Sequence, residues 1–124
     1  MQIKESGEMY LEVMYGLLTE TGEIRSVDIA KSMGYSKPSV SRAIGLLKKE
    51  GFIEQEPYGK ITLTEKGLER AKMVADRHVL LTEFLKRSLG LSADTAEQDA
   101  CRIEHIVSRE TMAAVRNYLK KAND

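Results

Sequence analysis

The stretch GYSKPSVSRAIGLLKKEGFIEQEPYGKITL, residues 34–63, decides the fold. Gly34-Tyr35 is a tight break. Ser36 is a good helix N-cap, and Pro38 stands in the first turn, where a missing N–H costs little. Val40, Ala43, Ile44 and Leu47 recur at helical spacing up to Lys49, and Gly51 suits the position just past the helix end. After Gly51 the apolar period falls to two. Phe52 to Glu56 and Lys60 to Leu63 flank Pro57-Tyr58-Gly59, the pattern of a short hairpin with a turn-forming tip.

Upstream, Arg25 to Met33 carries Val27, Ile29, Ala30 and Met33 and predicts a short helix. Before it, Glu5 to Thr21 has a broad apolar stripe of Met9, Leu11, Val13, Met14, Leu17 and Leu18, and Gly22 ends it. Downstream, Thr64 caps a helix that runs to about Leu89 through Leu68, Ala71, Val74, Ala75, Leu80, Leu81, Phe84 and Leu85, and Gly90 stops it. Ser92 caps a fifth helix to about Val107, and Ser108 a sixth to about Lys121. Helix, short helix, turn, helix and two-stranded hairpin is the order of a winged helix-turn-helix. The expected fold is therefore mainly α, with a winged helix-turn-helix over residues 1–63 and an all-helical domain over residues 64–124.

The chain has 124 residues, 42% hydrophobic and 31% charged, the balance of an ordinary globular protein. No apolar run approaches the roughly 18 residues of a membrane span, and no signal-peptide pattern opens the chain, so a cytoplasmic protein without membrane contact is expected. The single cysteine, Cys101, excludes an internal disulfide. The net charge is zero, but its distribution is uneven. Arg25, Lys31, Lys37, Arg42, Lys48 and Lys49 face only Asp28 within their segment. The first 24 residues set Glu5, Glu8, Glu12, Glu20 and Glu23 against Lys4. Patterning outweighs the sum when the partner is a polyanion.

The helix after Gly34 takes the place of a recognition helix, whose N-terminal residues face base edges in the major groove. Ser36, Lys37, Pro38, Ser39, Ser41 and Arg42 are small or basic, as close approach to DNA requires. Serine hydroxyls can donate or accept at several base edges, and Arg42 has the reach for guanine or phosphate. Lys37, Lys48 and the wing-tip Lys60 suit phosphate contacts, which position without reading sequence. Taken singly, Ser36 is equally a cap, and Ser39 and Ser41 equally exposed polar positions. The order of elements together with the basic patch is what implies DNA binding.

The only two histidines are His78 and His105. His105 lies in Cys101-Arg102-Ile103-Glu104-His105. On a helix Cys101, Glu104 and His105 share one face, and thiolate, carboxylate and imidazole together form a half-shell for a transition metal. Met9 and Glu12 share a face of the first helix in the same way. The bland reading has a buried cysteine as a small hydrophobe, Met9 as part of an apolar stripe and Glu104 paired with His105 or Arg102. The residues alone leave both readings open. There is no HExxH, CxxC pair or glycine-rich phosphate loop, so the familiar catalytic motifs are absent.

Glu8-Met9-Tyr10-Leu11, Pro38-Ser39-Val40-Ser41, Leu63-Thr64-Glu65-Lys66-Gly67, Arg77-His78 and Ala100-Cys101-Arg102-Ile103-Glu104-His105 together resemble the diphtheria toxin repressor family of metal-dependent transcriptional repressors. The resemblance runs from about Glu8 to Val107. It implies that the helical half is a metal-binding and dimerisation domain sharing its site with the first helix. By position, Met9, Cys101, Glu104 and His105 match the activating site of the iron-responsive members, and His78 a histidine of the neighbouring site. Two positions depart from that branch: Thr82 stands where it has a glutamate, and Glu97 where it has a histidine. Glu12 matches a ligand of the manganese-responsive branch, in which Met9 would be aspartate and Cys101 glutamate. The ligand set is thus mixed, and Glu12, His78 and Glu104 suit a second ion beside the first. Thioether and thiolate shift preference toward Fe(II), with Mn(II) or another divalent transition metal as the alternative. The C-terminal SH3-like domain of larger members is not expected here, as in the manganese branch.

The implied function is a homodimeric, metal-dependent repressor that binds an inverted-repeat operator in double-stranded DNA and controls metal-homeostasis genes. The alternative is a winged-helix regulator that answers an organic ligand or oxidation of Cys101. An enzyme using the same ligands is disfavoured, because the site offers no evident general base beyond them.

Overall fold

The computed structural model describes residues 5–57 and 59–122. The expected turn residue Tyr58 lies outside them. The chain divides into two compact units, residues 1–72 and 73–124.

In the first unit, α1 (Glu5–Thr21) buries Tyr10, Leu11 and Met14 on one face. Gly22 takes φ +80° and donates to the Leu18 carbonyl, which closes the helix. A two-residue strand follows, β1 (Ile24–Arg25), with Ile24 buried. The sequence reading began a helix at Arg25. Instead Arg25 is extended, and α2 spans Ser26–Met33. Two residues are too few for a period to register, so a pairing strand leaves no sequence signal of its own. Gly34 at φ 68° ends α2, with its N–H on the Ala30 carbonyl.

The segment that decided the fold behaves as its caps require. Ser36 is the N-cap of α3 (Lys37–Lys49), its hydroxyl accepting from the Ser39 amide, and proline occupies the first turn. Val40, Ile44 and Leu47 turn inward. The wing is β2 (Ile53–Gln55) and β3 (Lys60–Leu63), antiparallel, with Ile53 opposite Leu63. β1 pairs with the other edge of β3, Ile24 opposite Ile61, so the strand order is β1-β3-β2. Phe52, Ile53 and Ile61 join the α1, α2 and α3 residues in one apolar core.

The helix α4 (Glu65–Leu89) begins in the first unit. Thr64 accepts from the Gly67 amide, donates its hydroxyl to the Gly51 carbonyl at 2.7 Å, and gives its N–H to the Phe52 carbonyl. One residue therefore caps α4 and ties it to the base of the wing. Lys66 lies over the Phe52 ring, 4.3 Å from its centroid, and donates to the Glu50 carbonyl. Arg70 pairs at 3.2 Å with Glu8 of α1, a carboxylate buried in this unit.

In the second unit the rest of α4 is followed by α5 (Ala93–Ile103) and α6 (Arg109–Ala122), capped by Ser92 and Ser108, which accept from the amides of Thr95 and Thr111. Leu81, Ala100, Met112, Val115 and Leu119 form a second core, with Leu80, Phe84, Ile103 and Val107 against it. Phe84 meets Tyr118 edge to face. Among the described residues no helix is long and apolar enough to cross a membrane.

Candidate metal centre and nucleic-acid face

The fifth helix stops at Ile103, four residues before the expected end near Val107. Glu104 is its αR C-cap and still donates to the Ala100 carbonyl. His105 and Ile106 close tighter bonds, to the Arg102 and Ile103 carbonyls. The cause lies on both sides of the turn. Arg77 of α4 donates at 3.0 Å to the Glu104 carbonyl, which a continuing helix would have needed, and Ser108 already caps α6. Cys101, Glu104 and His105 are therefore not three positions on one helical face. Cys101 and Glu104 keep that relation across the last turn, and His105 lies in the bend.

The bend brings together what the spacing suggested. The Glu104 side chain is 0% exposed. One of its oxygens, Oε2, lies 3.2 Å from Nδ1 of His78 on α4. The other, Oε1, lies 3.5 Å from Nε2 of His105. All four of these polar atoms are shut off from solvent. Cys101 is half-buried and in no disulfide. Divalent ions take imidazole and carboxylate donors at about 2.1 Å, which separates neighbouring donors by roughly 3.0–3.4 Å. The two O–N separations fall in or close to that range, so the residues fit a metal ion. Each oxygen faces a different imidazole, so the carboxylate is placed to serve one ion or to bridge two. His78, Cys101, Glu104 and His105 are the expected ligands that meet within this unit, the Cys101 sulfur lying within 4.8 Å of a Glu104 oxygen. Met9 and Glu12 belong to the first unit, half-buried on α1. The departure Thr82 is buried on α4, and Glu97 is exposed on α5.

The first unit presents the other half of the expected site. Ser36, the N-cap of α3, and Lys37, Pro38, Ser39, Ser41, Arg42 and Lys48 on the helix are all exposed, and Lys60 is exposed where β3 leaves the wing tip. Ser36 and Ser39 are partly occupied with each other, hydroxyl to hydroxyl at 3.0 Å. A groove of about 500 Å³ runs along this face and adds Ser26, Val27 and Gln55 to Lys37, Ser41 and Lys48. Those three additions carry no local motif and come together only through the fold. Tyr35, exposed just before α3, rests its ring 6.2 Å from that of Tyr10. Burial first, then the Tyr35 phenol, holds the Tyr10 phenol above its usual range.

Two family profiles match the sequence. The one described as iron dependent repressor, N-terminal DNA binding domain, covers residues 2–61. The other, iron dependent repressor, metal binding and dimerisation domain, covers residues 64–124. The chain belongs to the iron-dependent repressor family. These are metal-dependent transcriptional repressors, and this member has their DNA-binding domain followed by their metal-binding and dimerisation domain.

Relatives of this repressor agree along nearly its full length. An uncharacterized HTH-type transcriptional regulator of Methanocaldococcus jannaschii is 35% identical over 98% of both chains. The transcriptional regulator MntR of Escherichia coli O6:H1 is 38% identical over 90% of this chain and 72% of its own. Among solved structures, the manganese regulator SloR superposes with TM-score 0.80 and 28% identity over 97% of this chain. A manganese-dependent transcriptional repressor in complex with manganese superposes with TM-score 0.84 and 29% identity over 92%. This chain spans about half the length of those two, 55% and 52%.

Proposed function

We propose that this protein is a metal-activated repressor: loaded with a divalent ion, it binds an inverted-repeat operator as a homodimer and controls metal-homeostasis genes in the cytoplasm. The observation that carries the proposal is the Glu104 carboxylate, buried with an imidazole nitrogen at each oxygen. A carboxylate taken out of water needs a counter-charge, and imidazoles are the commonest protein donors to metals. No catalytic role is proposed.

Met9, Glu12, His78, Cys101, Glu104 and His105 are the proposed ligands, with Met9 and Glu12 assigned by family position. Sulfur donors favour Fe(II). Relatives named for manganese and the carboxylate of Glu12 favour Mn(II). One ion or a close pair neutralises these groups, removes the repulsion among the carboxylates and shifts the population toward the DNA-competent state. Residues 1–63 act as the reading head, through Ser36, Lys37, Pro38, Ser39, Ser41, Arg42, Lys48 and Lys60. Residues 64–124 hold metal and partner. The second unit leaves Val79, Leu89, Ile106 and Tyr118 exposed, apolar surface that a dimer would cover.

The test is fluorescence anisotropy on labelled operator or mixed-sequence DNA with chelator-treated protein, adding Fe(II) without oxygen and Mn(II) in parallel. Tight binding is expected only with metal, and the ion effective at the lower free concentration is the activator. Equal binding with and without metal would remove the metal switch and leave a winged-helix regulator that answers another signal.

A further inference from the structure

Among the buried polar atoms of the second unit, the Thr82 hydroxyl is a separate case. It is closed off from solvent and makes no hydrogen bond to a described residue. A mid-helix threonine can satisfy its hydroxyl on the carbonyl four residues back. Thr82 does not, although its residue is only 9% exposed. It sits one turn beyond His78 on α4, on the same face. His78 in turn presents Nδ1 to Glu104. The hydroxyl therefore lies one helical turn from an imidazole that faces the buried Glu104 carboxylate, and packing alone gives no reason for oxygen there. Valine has the same shape without the cost of burying an unpaired hydroxyl.

We propose that Thr82 is a positioning residue of the metal centre: its hydroxyl hydrogen-bonds a water carried by the bound divalent ion and so tunes affinity. The inference rests on the metal reading above. Groups that hold a metal's outer partners typically set affinity by 10- to 100-fold. A single hydroxyl also serves a hydrated ion without adding charge. Thr82 would thus leave one coordination position to water and favour an ion that keeps some of its hydration.

The experiment uses the full chain, Mn(II) as the probe and a competing chromophoric chelator to fix the free ion. It compares the unaltered protein, Thr82→Val and Thr82→Ser, with melting of each in excess chelator as the control. Thr82→Val is expected to bind Mn(II) about 10-fold more weakly or worse, while its metal-free form melts at the same temperature or higher. Thr82→Ser, which keeps the oxygen, should retain most of the affinity despite the lost methyl. The split between affinity and metal-free stability is one a purely structural threonine would not produce. Unchanged affinity in Thr82→Val, or equal losses in the valine and serine variants, would overturn the inference and leave the metal reading intact. No Mn(II) or Fe(II) binding by the unaltered protein would remove both.

Discussion

Burying an ionised carboxylate costs several kcal/mol unless charge or hydrogen bonds compensate it. Glu104 has an imidazole nitrogen near each carboxylate oxygen, and Arg77 holds its backbone carbonyl. If Glu104 is a ligand, the bound ion supplies the counter-charge. Glu104→Gln keeps the volume and removes the charge. At free Mn(II) about 100-fold above its dissociation constant, the ion should stabilise the unaltered protein by about 2.7 kcal/mol. In Glu104→Gln that increment should vanish. Melting each protein with Mn(II) and with chelator checks it, and an equal increment in both would exclude Glu104 as a ligand. The chemistry of this residue was legible from the order Cys101, Glu104, His105. Its backbone was not, because the helix is cut short by Arg77, whose partner lies 27 residues away in sequence. No local period records a contact of that separation.

Caps and turns carried most of the element-scale information. Ser36, Thr64, Ser92 and Ser108 all accept where a helix starts, and the glycines at 22, 34, 51 and 90 all adopt positive φ. These features depend on neighbours within a few residues, so sequence displays them. β1 was missed because it exists only through its pairing with β3. Gly67 has the opposite character: it lies inside a helical pattern, and only the fold explains it. A Cβ there would run into the carbonyl oxygen of Phe52 and stand 3.0 Å from its carbonyl carbon. The obstacle is backbone at the base of the wing and cannot swing aside. Gly67→Ala should therefore cost about 3 kcal/mol, at the top of the overpacking range, although alanine is the better helix former. Urea unfolding measures this, and a neutral or stabilising change would mean that α4 and the wing base slide apart easily. On α3, Ser36→Ala should cost about 1 kcal/mol through the lost cap. Arg42→Ala and Lys48→Ala separate by function. Lys48→Ala should weaken binding to all DNA sequences and lower the slope of log affinity against log salt by roughly 0.9. Arg42→Ala should also relax discrimination at one operator position, by about 1–3 kcal/mol if it contacts a base. Salt titrations on operator and mismatched DNA distinguish them.

At the scale of the whole molecule, zero net charge conceals a division of labour. The exposed cations of α3 and the wing suit a polyanion, while the acids and imidazoles farther along the chain suit a cation. If one ion biases the geometry that reads DNA, the two binding events share a coupling free energy, and linkage makes it reciprocal. A 50-fold gain in operator affinity on loading with Mn(II), for example, requires a 50-fold gain in Mn(II) affinity on binding operator, about 2.3 kcal/mol either way. The check is to measure Mn(II) binding with the competing chelator in the presence and absence of saturating operator DNA, and operator binding with and without Mn(II), in one buffer. Equal factors are expected. Mismatched DNA, which holds the protein through phosphates alone, should return a smaller factor, because it demands less of the geometry of the reading helices. Operator DNA that left the apparent Mn(II) affinity unchanged while Mn(II) tightened operator binding would mean that the two titrations do not share one set of states. Assembly into dimers would do this, because it makes each apparent affinity depend on protein concentration. Repeating both titrations across protein concentration would then locate the coupling in the subunit contact.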